Sequence, residues 1–183
     1  MKKIVCLFLA AVLMFAFCSC SSEMTAAEDF LIALKQMNID AMKQELIPET
    51  EAGSLYTKLD TSLTEAERAV LQKLYGLTQY TVGEVIEEDG ARFVSMTLKT
   101  PNAKRIAELA DKQILVSAES AENIVSDMID GGTVAKTLMT EKTVSVKMTE
   151  KDGAWLVDYE AAENAAFRET LAISEILNFI LAN

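Results

Sequence analysis

Two stretches of alternating residues, each beside an Asp-Gly pair on which the chain folds back, limit this chain to folds that contain an antiparallel sheet. In the first, Tyr80, Val82, Val85 and Ile86 precede Glu87-Glu88-Asp89-Gly90, after which Val94, Met96 and Leu98 alternate with Ser95, Thr97 and Lys99. In the second, Val144, Val146 and Met148 alternate with Ser145 and Lys147, Asp152-Gly153 reverses the chain, and Trp155, Val157 and Tyr159 alternate again. A period of two puts one side of each strand on a core and the other in solvent, and Asp-Gly supplies the positive φ of a tight hairpin. About four strands in two hairpins are expected. The turn sequences resemble each other, but such turns are too common to indicate an internal duplication.

The intervening segments carry the period of a helix. Thr25-Ala26-Ala27-Glu28 has the spacing of a capping box, and Ala27, Phe30, Leu31 and Leu34 then form one apolar stripe until Asn38-Ile39-Asp40. Asp40 is placed to cap a second helix through Leu46, which Pro48 stops; residues 49–63 are irregular and polar and read as loop. A second capping box, Thr64-Glu65-Ala66-Glu67, opens a helix buried through Val70, Leu71 and Leu74 and ended by Gly76. Between the hairpins, Thr100-Pro101 marks a helix start. Ala103, Ile106, Ala107, Ala110, Ile114, Ala121, Ile124, Val125 and Met128 share one face up to Gly131-Gly132, with Ser117 to Ser120 leaving open whether there is one helix or two. A last long helix, about 160–181, places Ala162, Ala165, Ala166, Ile173, Ile176, Leu177 and Ile180 on one face and Phe167 and Leu171 on the other. Helices and hairpins segregated in this way predict an α+β domain.

The N-terminus has a different purpose. Lys2 and Lys3 precede an unbroken apolar run of 14 residues, Ile4 to Phe17. As a helix it would span about 21 Å, short of the roughly 30 Å hydrocarbon core, so it reads as the h-region of a secretion signal. The following Phe17-Cys18-Ser19-Cys20-Ser21-Ser22 resembles the lipobox of bacterial lipoproteins, in which a small residue precedes the lipidated cysteine. Cys20 follows Ser19 and fits; Cys18 follows bulky Phe17 and fits poorly, and Cys6 lies within the apolar run. Phe17, where lipoboxes usually carry an aliphatic residue, is the one departure. The resemblance implies residues 1–19 as signal peptide, lipidation at Cys20, a tether over residues 20–24 and a single domain over 25–183. It also implies a location on the cell membrane or outer membrane, facing away from the cytoplasm. A diacylglyceryl group brings at least two chains, which makes that attachment strong.

Composition then limits the chemistry. Without the signal, 15 basic residues face 28 acidic ones, a formal charge of −13 that disfavours nucleic acid as a partner. There is no histidine, no cysteine after Cys20 and no Gly-rich phosphate loop. Disulfides and thiolate metal sites are ruled out beyond Cys20, the common acid–base and nucleophile signatures are missing, and no cofactor, metal or catalytic residue is expected. The acids near the hairpin turns, Glu87, Glu88, Asp89, Glu150 and Asp152, lack calcium-loop spacing and read as solvated turn residues.

The tract Thr143 to Asp158, TVSVKMTEKDGAWLVD, resembles the closing hairpin of small lipoproteins with an NTF2-like or cystatin-like fold, and AEDFLIALKQMNIDAMKQEL (Ala27 to Leu46) resembles their opening helices. The resemblance covers most of the chain after Cys20, through generic motifs. It implies helices packed on a curved antiparallel sheet and no established activity, and the long C-terminal helix exceeds the family's usual ending. Such folds hold ligands in a concavity, which Trp155 and Tyr159 could line, although simple core packing is the plainer account of them, since buried aromatics dominate small cores. Glu169 falls in the middle of the apolar face of the last helix on a continuous wheel. It is a candidate pocket carboxylate, a partner for a facing lysine or arginine, or a residue where the helix dips into solvent. Three readings follow: a non-catalytic binding or interaction module of the envelope; a small-ligand carrier or carboxylate-dependent enzyme; and a structural partner in envelope assembly, which an exposed apolar patch would favour.

Overall fold

The structure, a computed structural model, describes residues 22–47 and 59–182. The expected signal over 1–19, Cys20 and most of the loop expected over 49–63 lie outside them. The elements in order are α1 (Ser22–Gln36), α2 (Ile39–Gln44), α3 (Glu65–Gly76), β1 (Gln79–Glu88), β2 (Ala91–Pro101), α4 (Ala103–Ser117), α5 (Ala121–Asp130), α6 (Thr133–Thr137), β3 (Met139–Lys151), β4 (Ala154–Val157), a 3₁₀ turn (Ala162–Asn164), α7 (Ala165–Leu171) and α8 (Ile173–Ala182). The fold is α+β, with one open antiparallel sheet in the order β1-β2-β3-β4.

Both turns have the conformation that their sequences demand. Asp89 and Gly90 have φ of 50° and 76°, and Asp152 and Gly153 have φ of 54° and 82°. From these turns the register runs so that Val94 pairs with Val146 and Met96 with Val144. One face of the sheet is therefore Val94, Met96, Leu98, Thr100, Val144, Val146 and Met148, all buried. The helices cover it: α1 packs against β1, β2 and β4, and α7 packs against β2 and β3. Phe30, Leu31 and Leu34 of α1 and Leu71 and Leu74 of α3 complete the core, as their spacing predicts. The opposite face carries Thr81, Thr97 and Thr143 in one row across three strands, and the Thr97 and Thr143 hydroxyls lie 3.0 Å apart. A bulge between Val82 and Val85 bends the edge strand β1.

Several boundaries differ from expectation. The first helix begins at Ser22 rather than after Thr25, so most of the expected tether is helical and Glu23 is buried. Asn38, not Asp40, caps α2, accepting the Ala41 N–H at 3.1 Å. Residues 59–61 form a helical turn in which Leu59 is fully buried. Pro101 ends β2 instead of opening a helix, because Asn102 takes the cap of α4 by accepting the Arg105 N–H at 3.1 Å. The segment after it is two helices, divided by Ala118 at φ 56°. The Thr64 capping box forms as read: the Thr64 N–H donates to Glu67 Oε2 at 2.6 Å and the Glu67 N–H to Thr64 Oγ1 at 3.2 Å.

The long C-terminal helix is a larger correction. Ala172 adopts φ 48° and divides it into α7 and α8. At the break two carbonyls are taken by side chains from elsewhere: the Thr100 hydroxyl donates to Thr170 O at 2.8 Å and the Tyr75 phenol to Leu171 O at 3.1 Å. Burial pushes the Tyr75 phenol well above its usual range, which keeps it a donor. One left-handed residue changes the phase of everything on either side of it. Phe167, Thr170 and Leu171 are buried in α7, whereas Ala165 and Glu169 are exposed. In α8, Ile173, Ile176, Leu177 and Ile180 face inward as expected.

Candidate functional site

The three residues suggested as pocket-lining are not brought together. Tyr159 lies beyond the end of β4, buried, with its ring 6.1 Å from both Phe30 and Phe167, which are themselves 5.9 Å apart. The aromatic trio belongs to the core, and the Arg168 guanidinium holds the corner by donating to the carbonyls of Tyr159 and Ala161. Glu169 stands on the surface with its side chain 73% exposed, 3.9 Å from Lys142 Nζ. The inward position read from a continuous wheel is thus corrected by the break at Ala172. Trp155 pairs with Glu150 at the turn end of β3, eight residues from Lys142, so it and Glu169 are separated by about 26 Å along the strand.

Trp155 instead belongs to a cluster at the hairpin end. The Arg92 guanidinium stacks on its ring, 5.6 Å from the centroid, donates to Glu23 Oε1 at 2.8 Å, and approaches Glu87 at 3.6 Å. Glu23 is only 3% exposed, and Ser22 Oγ donates to its other oxygen at 3.3 Å. A buried carboxylate needs such partners, since an unpaired charge there would cost several kcal/mol. The Arg92 side chain, 44% exposed, stacks on one side and forks on the other, a geometry a lysine cannot reproduce.

Sequence reasoning missed this cluster because the expected tether placed Glu23 outside the fold. It also missed two apolar side chains at the end of α4. Leu115 and Val116 are 86% and 88% exposed, while Leu109, seven residues before Val116 on the same stripe, is also exposed. A wheel phased on buried Ile106 and Ala110 puts Leu115 and Val116 off the core face, so the signal was present. Among the described residues no group of three or more carboxylates could hold a metal ion. None of their helices is long and apolar enough to cross a membrane.

No family model and no curated protein sequence matches the chain. Among solved structures, a Bacillus subtilis strain 168 protein described as a candidate lipoprotein (ycdA) is similar, with 19% identity and a TM-score of 0.37. The match covers 75% of this chain and 44% of that one, so the chain spans less than half the length of that neighbour.

Proposed function

We propose that this chain is a lipid-anchored module exposed outside the cytoplasm, which binds or assembles with another envelope protein and does not catalyse a reaction. The address rests on the lipobox-like Phe17-Cys18-Ser19-Cys20 and the apolar run before it. The role rests on Leu115 and Val116, whose near-complete exposure on an otherwise charged helix costs solubility and is explained by a partner that covers them. Two side chains are too small for a whole interface of about 800 Å² per partner, so they serve as its apolar centre. Four antiparallel strands in sequential order with helices on one face are in keeping with an NTF2-like or cystatin-like fold.

Address and role can be tested separately. Cys20→Ala should yield protein with no acyl mass at its mature N-terminus, and unchanged acylation would defeat the address. A photoreactive residue at position 116 should give a discrete cross-linked species in envelope membranes, and one at exposed position 81 should not. Equal or absent adducts at both positions, with membrane attachment intact, would defeat the role.

A further inference from the structure

The lipid anchor and the sheet are closer together than a tethered domain would allow. Two peptide units separate Cys20 from Ser22, the first residue of α1, and two fully extended residues reach at most about 7 Å. In that first turn Glu23 is buried and gripped by Arg92 at 2.8 Å, and Arg92 is stacked on Trp155. Arg92 pairs with Glu87 one step inside the first turn, and Trp155 pairs with Glu150 one step inside the second. Because Arg92 also pairs with Met148, both turns project from the same end of the sheet. Whatever path residues 20 and 21 take, the anchor lies within about 7 Å of Ser22, next to the turn of α1 that Arg92 grips from the hairpin end, and α1 is continuous from Ser22 into the core.

From this geometry we infer that the hairpin end of the sheet is the membrane-facing surface, and that the Glu23–Arg92–Trp155 cluster fixes the domain's orientation on the lipid headgroups. The inference rests on lipidation of Cys20. The surface concerned has five acids (Glu87, Glu88, Asp89, Glu150 and Asp152) against Arg92 and Lys151, and its turn residues are Asp-Gly in both hairpins. With no apolar side chain larger than alanine at either turn to insert, this end rests on headgroups without penetrating them. Its acidity suits a zwitterionic surface and opposes an anionic one. The opposite end of the sheet, with Pro101, Met139 and Lys142, is held away from the bilayer.

The mature chain has no thiol besides Cys20, so single cysteines report position cleanly. Lys151→Cys and Glu141→Cys are both at exposed positions of β3, one at each end. The lipidated proteins, labelled with a donor dye, would be placed on phosphatidylcholine vesicles carrying a headgroup acceptor. Energy transfer should be at least about twofold stronger from position 151, because the two sites differ by about 33 Å in height if the strand stands on the surface. Arg92→Gln should move the two signals towards each other while leaving the protein on the vesicles. Equal transfer from both positions in acylated, vesicle-bound wild type overturns the fixed orientation and leaves the lipoprotein reading standing; stronger transfer from 141 overturns it likewise. If mass spectrometry finds Cys20 unacylated and the protein stays off the vesicles, the lipoprotein reading fails and takes the orientation with it. If Arg92→Gln keeps the wild-type ratio, the cluster is not what sets the orientation.

Discussion

The two hairpins begin from nearly identical turns and build very different ladders. From Asp89-Gly90, β1 and β2 pair along almost their whole lengths, 10 residues against 11, interrupted by a single bulge. From Asp152-Gly153, β3 runs for 13 residues while β4 lasts only four. Where β4 leaves, other groups take over its backbone contacts. The buried Asn164 carboxamide accepts the Lys147 N–H at 2.7 Å and donates to the carbonyls of Lys147 at 3.1 Å and Asp158 at 2.7 Å, standing in for a strand residue. On the outer side of β4, Val157 N–H donates to Glu45 O at 2.8 Å and Ile47 N–H to Val157 O at 3.2 Å, a short parallel bridge from the N-terminal part of the chain. Turn chemistry starts a ladder; what packs around it sets its length.

The largest expected break in this contrast is Asn164→Ala. It removes three hydrogen bonds from a fully buried side chain, each worth roughly 1 kcal/mol, so urea unfolding should show a loss of about 3 kcal/mol. A loss under about 1 kcal/mol would mean that water or a shifted strand replaces the amide. The turns themselves should respond alike. Gly90→Val and Gly153→Val each place a β-branched residue at positive φ, with open space around the new Cβ, so each should cost about 1 kcal/mol or more through backbone strain alone. A clear cost at one turn and none at the other would show that the two are not conformationally equivalent.

Acid should separate the two kinds of support for β4. The hydrogen bond from Lys147 holds the Glu163 carboxyl below its ordinary 4.5, while burial and then the nearby Asp29 charge raise that of Glu45 above the same value. The Glu163 contribution is present above pH 4.5 and lost as pH falls through its lowered folded value. For Glu45 the sign is reversed: its charged form is disfavoured in the fold, so stability is lost as pH rises through its raised value. Unfolding midpoints of Glu163→Gln should fall below wild type at neutral pH and those of Glu45→Gln should rise above it. Both differences should shrink in acid, and two shifts of the same sign would contradict this assignment. The smallest effect belongs to Glu169→Gln, whose exposed site predicts a change within about 0.5 kcal/mol at pH 4 to 8.

Local chemistry made the sheet legible: both Asp-Gly turns, the inward rows of β2 and β3, and the Thr64 box lie where alternation and capping place them. The helices were legible until a residue with no special signature broke the phase. Ala172 is an ordinary helix former in sequence, and at its left-handed break the tertiary partners Thr100 and Tyr75 take carbonyls that a continuing helix would use; the break at Ala118 falls within the Ser117 to Ser120 stretch that left one helix or two open. The inward placing of Glu169 depended on that phase, so Glu169 moved to the surface and Phe167 into the core. The Glu23–Arg92 pair joins positions 69 residues apart, and Asn164 acts on a strand 17 residues before it. Neither link has a local signature, because the partner is chosen by the assembled fold.

The bridge between Leu46 and Val157 has a consequence for the order in which the molecule forms. Its two sides are 111 residues apart, so closing it carries a large loop entropy and favours local hairpins and helices forming first. A chain emerging N-terminus first exposes the bare edge of β3 until β4 and then Asn164 have arrived to cover it. During that interval the nascent domain presents a strand edge of the kind that other chains can pair with, and its safe passage depends on how quickly residues 154–164 follow.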